Sequence, residues 1–152
     1  MNGPPSEEPV GLQLTRTARD VGRAFDEALA GGGASLPQWL VLVSLKARRH
    51  GMQRDLAQEL GIEGPTLTHH LNRMEFAGLV TRRRDPDNRR VHQVELTEEG
   101  EAAFARLLGV VIAFDAQLRA GLTDVEISAL RAALQRLRTN VAGSSAAEQE
   151  EG

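Results

Sequence analysis

The sequence predicts a mainly α-helical fold with one small β-hairpin. The chain has 152 residues, of which 41% are hydrophobic and only 3% aromatic. Its apolar residues are mostly Ala, Leu and Val, a composition that favours helices over β-sandwiches and barrels. They recur every three or four positions over long segments, which indicates amphipathic helices. Two β-compatible runs separated by a turn sequence interrupt this pattern.

Two helices are predicted in the first third of the chain. Over residues 7–30, apolar positions such as Val10, Leu14 and Phe25 form one helical stripe, and "GGGAS" ends it. The segment "SLPQWLVLVSLKARR" begins with Ser35 and an early proline, both helix start signals. We expect a central helix there, with Trp39 in its first turn.

Two short amphipathic segments follow, "MQRDLAQELGI" and "GPTLTHHLNRMEFAGLV", connected through "GIEG". Isolated helices of this length do not persist in water, so each depends on packing against the other. This pattern is typical of a helix-turn-helix.

A hairpin and two further helices complete the prediction. The runs "LVTRR" and "RVHQVEL" flank "DPDN", which supplies Pro, Asp and Asn for the turn. Long helical patterns then begin at "LTEEG" and at "LTDVEISAL". In the second, Thr123 and Glu126 have the spacing of a capping box.

Positive charge is concentrated in the middle of an otherwise acidic chain. The net charge is −3, yet the hairpin holds five arginines within nine residues, "RRRDPDNRR". Residues 46–90 carry ten Lys and Arg against six Asp and Glu, whereas the remainder carries eight against fifteen. This distribution indicates a polyanionic partner bound at one place.

The second short helix has an outer face suited to nucleic acid. At about 100° per residue, Leu67, Leu71 and Met74 share one face, opposite Pro65, His69, Asn72 and Arg73. Imidazole, carboxamide and guanidinium groups suit base edges and phosphates, and hydroxyls near the helix N-terminus suit a phosphate. The alternative is an ordinary solvated helix face.

The arginine-rich hairpin that follows gives the segment the layout of a winged helix. In that layout the second helix enters the major groove and the hairpin tip reaches the minor groove. Arginines of the first strand can then face phosphates, and Asp85 and Asp87 can hold the arginines extended. The candidate DNA-binding residues are Pro65, Thr66, Thr68, His69, His70, Asn72, Arg73, Arg82, Arg84, Arg89 and Arg90.

From about Leu12 to Val141 the chain resembles the MarR/SlyA family of winged-helix transcriptional regulators. The resemblance is most specific in "LAQELGIEGPTLTHHLNRMEFAGLVTRRRDPDNRRVHQVELTEEG". It implies a homodimer that binds pseudo-palindromic double-stranded DNA, usually as a repressor, and often releases it when a small phenolic or other aromatic compound binds. It also implies DNA contacts for Thr68, His69 and Arg73, and minor-groove insertion for Arg90.

Two positions depart from the family pattern. The family commonly has arginine where this chain has His69, which affects the operator sequence. It commonly has aspartate where this chain has Asn88, which leaves open which carboxylate steadies Arg90.

We therefore expect five regions: a disordered N-terminus (1–6), an N-terminal dimerisation helix (7–34), the winged helix-turn-helix (35–96), C-terminal dimerisation helices (97–141) and a disordered tail (142–152). The terminal helices are too apolar to remain satisfied in a monomer, which favours a homodimer over a monomeric bundle.

Other functions fit the sequence less well. The chain has no cysteine, which excludes thiol chemistry and thiolate zinc sites. Catalysis is disfavoured because adjacent His69 and His70 diverge by about 100° on a helix, and no cofactor is expected. A metal-responsive regulator using His50, His69, His70 and His92, or a winged helix serving only protein contacts, remains an alternative.

The location and the effector site complete the expectations. Neither a secretory signal nor a membrane span is recognisable, so we expect a cytoplasmic protein. An effector pocket would have Phe25, Trp39 and Met74 as wall residues, although such residues more often form the core.

Overall fold

The computed structural model describes residues 7–48, 51–88 and 92–149. Within these ranges the elements are α1 (Val10–Gly31), α2 (Leu36–Arg48), β1 (Gly51–Met52), α3 (Gln53–Leu60), α4 (Gly64–Phe76), β2 (Val80–Arg84), β3 (His92–Leu96), α5 (Glu98–Leu118) and α6 (Asp124–Gln149). The predicted mainly helical fold with one hairpin is confirmed. The chain divides into two compact units, Met1–Phe114 and Asp115–Gly152.

The connection between α3 and α4 is a tight turn built on glycine. Gly61 caps α3 in the left-handed conformation, with φ of 64°, a region that costs glycine little because it has no Cβ. The N–H of Ile62 donates to the carbonyl of Ala57 at 3.1 Å, which closes the helix end. The chain then enters α4 through Glu63, with extended backbone angles.

The sheet has three antiparallel strands in the order β1-β3-β2. The hairpin register pairs Val80 with Leu96 and Arg84 with His92. Strand β1, which pairs Gly51 with Val94, is not predicted by the sequence. Two residues are too short to show an alternating pattern, and their partner lies more than 40 positions away along the chain.

The core of the first unit joins the helix-turn-helix to the hairpin. Trp39 stacks on Phe104 with ring centroids 5.4 Å apart. The fully buried side chains come from five helices and two strands: Leu29, Val41, Leu42, Leu45, Leu56, Leu67, Leu71, Met74, Val80, Val94 and Leu107. Because α4 contributes three of them, its inner face is fixed against the core.

The three residues predicted to line an effector pocket lie in the core or pack against it. Met74 is 0% exposed and Trp39 is 7% exposed, and both belong to the core. Phe25 is packed against that core and stacks on Phe114 at 5.1 Å. Packing of this kind is the more common role of large apolar side chains on amphipathic helices, and the assignment of these three side chains to an effector pocket stays a prediction.

The second unit is dominated by α6. The predicted capping box is confirmed, since the N–H of Thr123 donates to Oε2 of Glu126 at 2.8 Å and the N–H of Glu126 donates to Oγ1 of Thr123 at 3.2 Å. The helix continues to Gln149, so the predicted disordered tail from residue 142 is corrected over most of its length. Three of the eight residues from 142 to 149 are alanine, the residue with the highest helix propensity.

Among the described residues, no single helix has the length and apolarity needed to cross a membrane. That length and apolarity are reached only when two helices are taken together, Val10–Gly31 and Leu36–Ala47, and these two helices are bent by 76° relative to each other.

Candidate nucleic-acid interface

Helix α4 has two faces, as the helical wheel predicts. Its inner face consists of Leu67, Leu71 and Met74, each 0% exposed. The outer face carries five exposed residues that were predicted to contact DNA: Pro65, Thr66, His69, Asn72 and Arg73. Packing of the inner face against the core therefore leaves these polar side chains exposed on the outer face.

The start of α4 is open to a polar ligand. Its N-cap residue, Glu63, makes no side-chain hydrogen bond to the helix, so the first N–H groups have no such cap. Thr68 is half-buried, and its Oγ1 accepts a hydrogen bond from Nε2 of Gln53 at 2.7 Å. The proton of the Thr68 hydroxyl remains available to another acceptor. The sequence does not single out Gln53, because its contact is with a residue 15 positions away.

The two adjacent histidines differ in environment. Their rings meet edge to face with centroids 5.7 Å apart, while His69 is exposed and His70 is half-buried. Burial lowers the pKa of the His70 imidazole, and the nearby His69 and Arg73 lower it further. His70 is therefore neutral at pH 7, with one donor and one acceptor nitrogen.

An open cleft runs along the C-terminal half of α4. It has a volume of about 390 Å³ and is lined by Gln38, His69, Asn72, Arg73, Phe76 and Ala77. Phe76 is 97% exposed, and it lies on the same helical stripe as His69 and Asn72. The sequence does not single out Phe76, because an aromatic ring in a short amphipathic helix fits the apolar pattern.

Arg82 is held against α4 instead of projecting toward solvent. Its Nε donates to Oε2 of Glu75 at 2.6 Å, and a terminal guanidinium nitrogen donates to Oδ1 of Asn72 at 2.5 Å. The side chain is only 19% exposed. The expectation that Arg82 faces phosphates is corrected, because this position of β2 pairs with Val94 and so lies on the helix-facing side of the hairpin.

The other described hairpin residues point in different directions. Arg83 pairs with Glu95 at 3.4 Å, and Arg84 is exposed. Asp85 caps the turn: its Oδ1 accepts the N–H of Asp87 at 2.8 Å, and its Oδ2 accepts Nε2 of Gln93 at 3.1 Å. Arg89 and Arg90, predicted at the wing tip, lie outside the described residues.

The described part of the chain contains no cluster of metal ligands that would support the metal-responsive alternative. There, no group of three or more His, Asp or Glu side chains is arranged to hold a metal ion. His69 and His70 are close to each other, whereas His50 lies outside the described residues.

Comparisons with known proteins find a matching family model and similar solved structures. A family model described as "MarR family" matches residues 34–92. The transcriptional repressor CouR, solved bound to a 23-mer DNA duplex, is 30% identical with a TM-score of 0.79, covering 86% of this chain and 92% of CouR.

Two further solved structures are similar to this chain over most of its length. A MarR-family transcriptional regulator from Rhodococcus sp. RHA1 is 28% identical with a TM-score of 0.75, over 84% of this chain and 91% of the other. A cysteine-to-serine mutant of MarR from E. coli, complexed with operator DNA, is 25% identical with a TM-score of 0.77, over 85% of this chain and 93% of the other.

Proposed function

The chain belongs to the MarR family of DNA-binding transcriptional regulators, and from this premise we propose that it is a homodimeric, ligand-responsive repressor in the cytoplasm that reads a pseudo-palindromic operator. In each half-site α4 lies in the major groove and the hairpin tip reaches the adjacent minor groove. The observation that carries the proposal is the clamp between Arg82 and α4, with its two hydrogen bonds at 2.6 Å and 2.5 Å. It joins the exposed face of α4 and the arginine-rich hairpin into one polar surface.

Exposed apolar side chains on the remaining helices support the dimer. In the first unit, Val10 of α1 is 62% exposed and Ile112 of α5 is 60% exposed. In the second unit, Leu130, Leu134 and Val141 form one stripe along α6 with exposures of 48%, 41% and 69%. A two-fold partner that covers these faces removes apolar surface from water. Sedimentation velocity should accordingly give twice the monomer mass of 16.5 kDa.

The cleft on α4 is our candidate for the effector site. Its volume of about 390 Å³ falls within the range of roughly 300–1,000 Å³ typical of small-molecule sites. Phe76 offers an aromatic face there, and Arg73 and His69 offer polar contacts to a phenolic oxygen or carboxylate. An effector bound at this cleft would occupy the face that reads DNA, so it would lower operator affinity.

Salt-dependent binding to a selected duplex tests the proposed function. Sequences would be selected from a random duplex pool, and affinity measured by fluorescence anisotropy between about 50 and 200 mM salt. If the protein makes six to ten phosphate contacts, this rise in salt concentration should weaken binding by about 10³- to 10⁵-fold. Weak salt dependence would contradict phosphate binding and favour a winged helix used for protein contacts.

Two arginine-to-alanine variants test where on the protein the DNA interface lies. We expect Arg90→Ala to weaken binding by about 1 to 3 kcal/mol and to make the salt slope shallower. Arg131→Ala on α6 removes the same charge outside the proposed interface and should leave both quantities unchanged. A change in DNA affinity on adding micromolar zinc, reversed by a chelator, would instead support the metal-responsive alternative.

A further inference from the structure

We infer that Arg82 is a positioning residue that fixes the amide of Asn72, so that Asn72 presents N–H donors to the major groove and selects guanine over adenine. This inference rests on the proposed function, because it assigns base specificity to the face of α4 that is proposed to read DNA. It concerns the contact between Oδ1 of Asn72 and the Arg82 guanidinium at 2.5 Å.

The orientation of the Asn72 amide follows from the chemistry of its partner. A guanidinium carries only donors, so the Asn72 atom that faces Arg82 must be the carbonyl oxygen. Rotating the amide by 180° would place the N–H groups of Asn72 against those of Arg82. The Asn72 nitrogen therefore points away from the hairpin, and the side chain as a whole is exposed on the outer face of α4.

Arg82 is itself held at a second point. Its Nε donates to Oε2 of Glu75 at 2.6 Å, and Glu75 lies one helical turn from Asn72 on α4. The Arg82 side chain is 19% exposed, against 72% for neighbouring Arg83. Charge-assisted hydrogen bonds to a carboxylate are stronger than neutral ones. The bond to Glu75 therefore holds the guanidinium in place, and the guanidinium in turn orients the Asn72 amide.

The fixed amide changes which base edge Asn72 can read. Bidentate recognition of adenine uses the amide oxygen to accept from N6 and the amide nitrogen to donate to N7. Because the bond to Arg82 turns the oxygen of Asn72 toward the hairpin, Nδ2 with its two donors is the amide group left to face the groove. Guanine presents two acceptors in the major groove, N7 and O6, and it is therefore the matching base.

Sequence selection with four proteins tests this assignment. Wild type should select guanine at one position of each half-site. Arg82→Met keeps an apolar stem but removes the donors, which frees the amide, so guanine preference over adenine at that position should fall by about fivefold or more. Asn72→Asp keeps the clamp and the shape but replaces the donors with an acceptor. Guanine should then be lost in favour of cytosine or adenine, whose amino groups donate.

The matched control is Arg83→Met. It removes the same charge from the adjacent position of β2, where Arg83 pairs with Glu95 across the hairpin and not with α4. We expect the base preference of this variant to equal that of wild type at every position, with any loss of affinity uniform across sequences. Thermal melting of each variant confirms that the selected pools come from folded protein.

The outcomes are distinct. Retained guanine preference in both Arg82→Met and Asn72→Asp, with wild type selecting a clear half-site, overturns the role of Arg82 and leaves the proposed function intact. A wild-type protein that selects no sequence overturns both.

Discussion

Replacing Gly100 by alanine should destabilise the fold through a backbone collision. Gly100 is buried in the first turn of α5, and a Cβ built there would lie 2.0 Å from the carbonyl oxygen of Leu79 and 3.1 Å from its carbonyl carbon. Real Cβ contacts essentially never fall below 3.0 Å. The obstacle is main chain in the connection between α4 and β2, so no side-chain rotation relieves it.

The cost follows from the contacts that must loosen. The N–H of Thr97 donates to Leu79 O at 3.1 Å, Oγ1 of Thr97 donates to Gly78 O at 2.5 Å, and the N–H of Gly100 donates to that Oγ1 at 3.0 Å. Moving α5 away by about 1 Å disrupts two or three of these bonds, at about 1 kcal/mol each. Alanine regains about 1 kcal/mol through helix propensity. The net loss is therefore about 1 to 2 kcal/mol, which lowers Tm by about 2 to 8 °C in a chain of this size.

Thermal and denaturant unfolding at equal protein concentration measure this loss, because the stability of the proposed dimer would depend on protein concentration. Gly109→Ala is the control, because Gly109 lies in the same helix and a Cβ added there would meet nothing within 4 Å. That variant should gain up to about 1 kcal/mol from helix propensity. If Gly100→Ala proves as stable as wild type, the close approach of Leu79 to α5 is wrong.

Three further substitutions probe other parts of the chain. Leu71→Ala, at a core position with 0% exposure, should cost about 2 to 5 kcal/mol in denaturant unfolding, and a cost below about 1 kcal/mol would contradict its burial. Asp85→Ala removes the acceptor that closes the hairpin turn, so DNA affinity should fall severalfold while Tm changes little. Hydrogen bonds from the Thr123 backbone and hydroxyl lower the pKa of Glu126. The carboxylate therefore stabilises the fold above its unfolded-state pKa, and this stabilisation is lost as pH falls through the folded-state pKa. Glu126→Gln should be less stable than wild type at neutral pH and equal to it in acid, and a pH-independent difference would refute the assignment.

Local chemistry allowed much of the fold to be predicted. The apolar spacing of α4 fixes its buried face, because a helix that packs on one side needs its apolar residues there. The turn residues between β2 and β3 and the Thr123–Glu126 capping box act over four residues or fewer, so both could be identified without knowledge of the rest of the chain.

What could not be predicted depends on long-range contacts. Strand β1 exists because β3 offers it a partner. Gln53 contacts the candidate interface because α3 places it beside Thr68, to which it donates a hydrogen bond. The role of Arg82 depends on two acceptors that belong to a different element. In each case the residue type is compatible with several environments, and only the tertiary arrangement selects one.

The hairpin arginines therefore divide into different roles, and two experiments separate them. Arg82 has its charge balanced by Glu75, so it adds little to the field that a phosphate backbone meets. Arg82→Met should change base preference and leave the dependence of affinity on salt nearly unchanged. Arg90→Ala should lower the slope by about 1, because fewer counterions are released, and should leave the guanine preference assigned to Asn72 unchanged. If both variants changed the slope equally, the clamp on Arg82 would not persist in solution, and the concentration of arginine in this hairpin would serve phosphate binding alone.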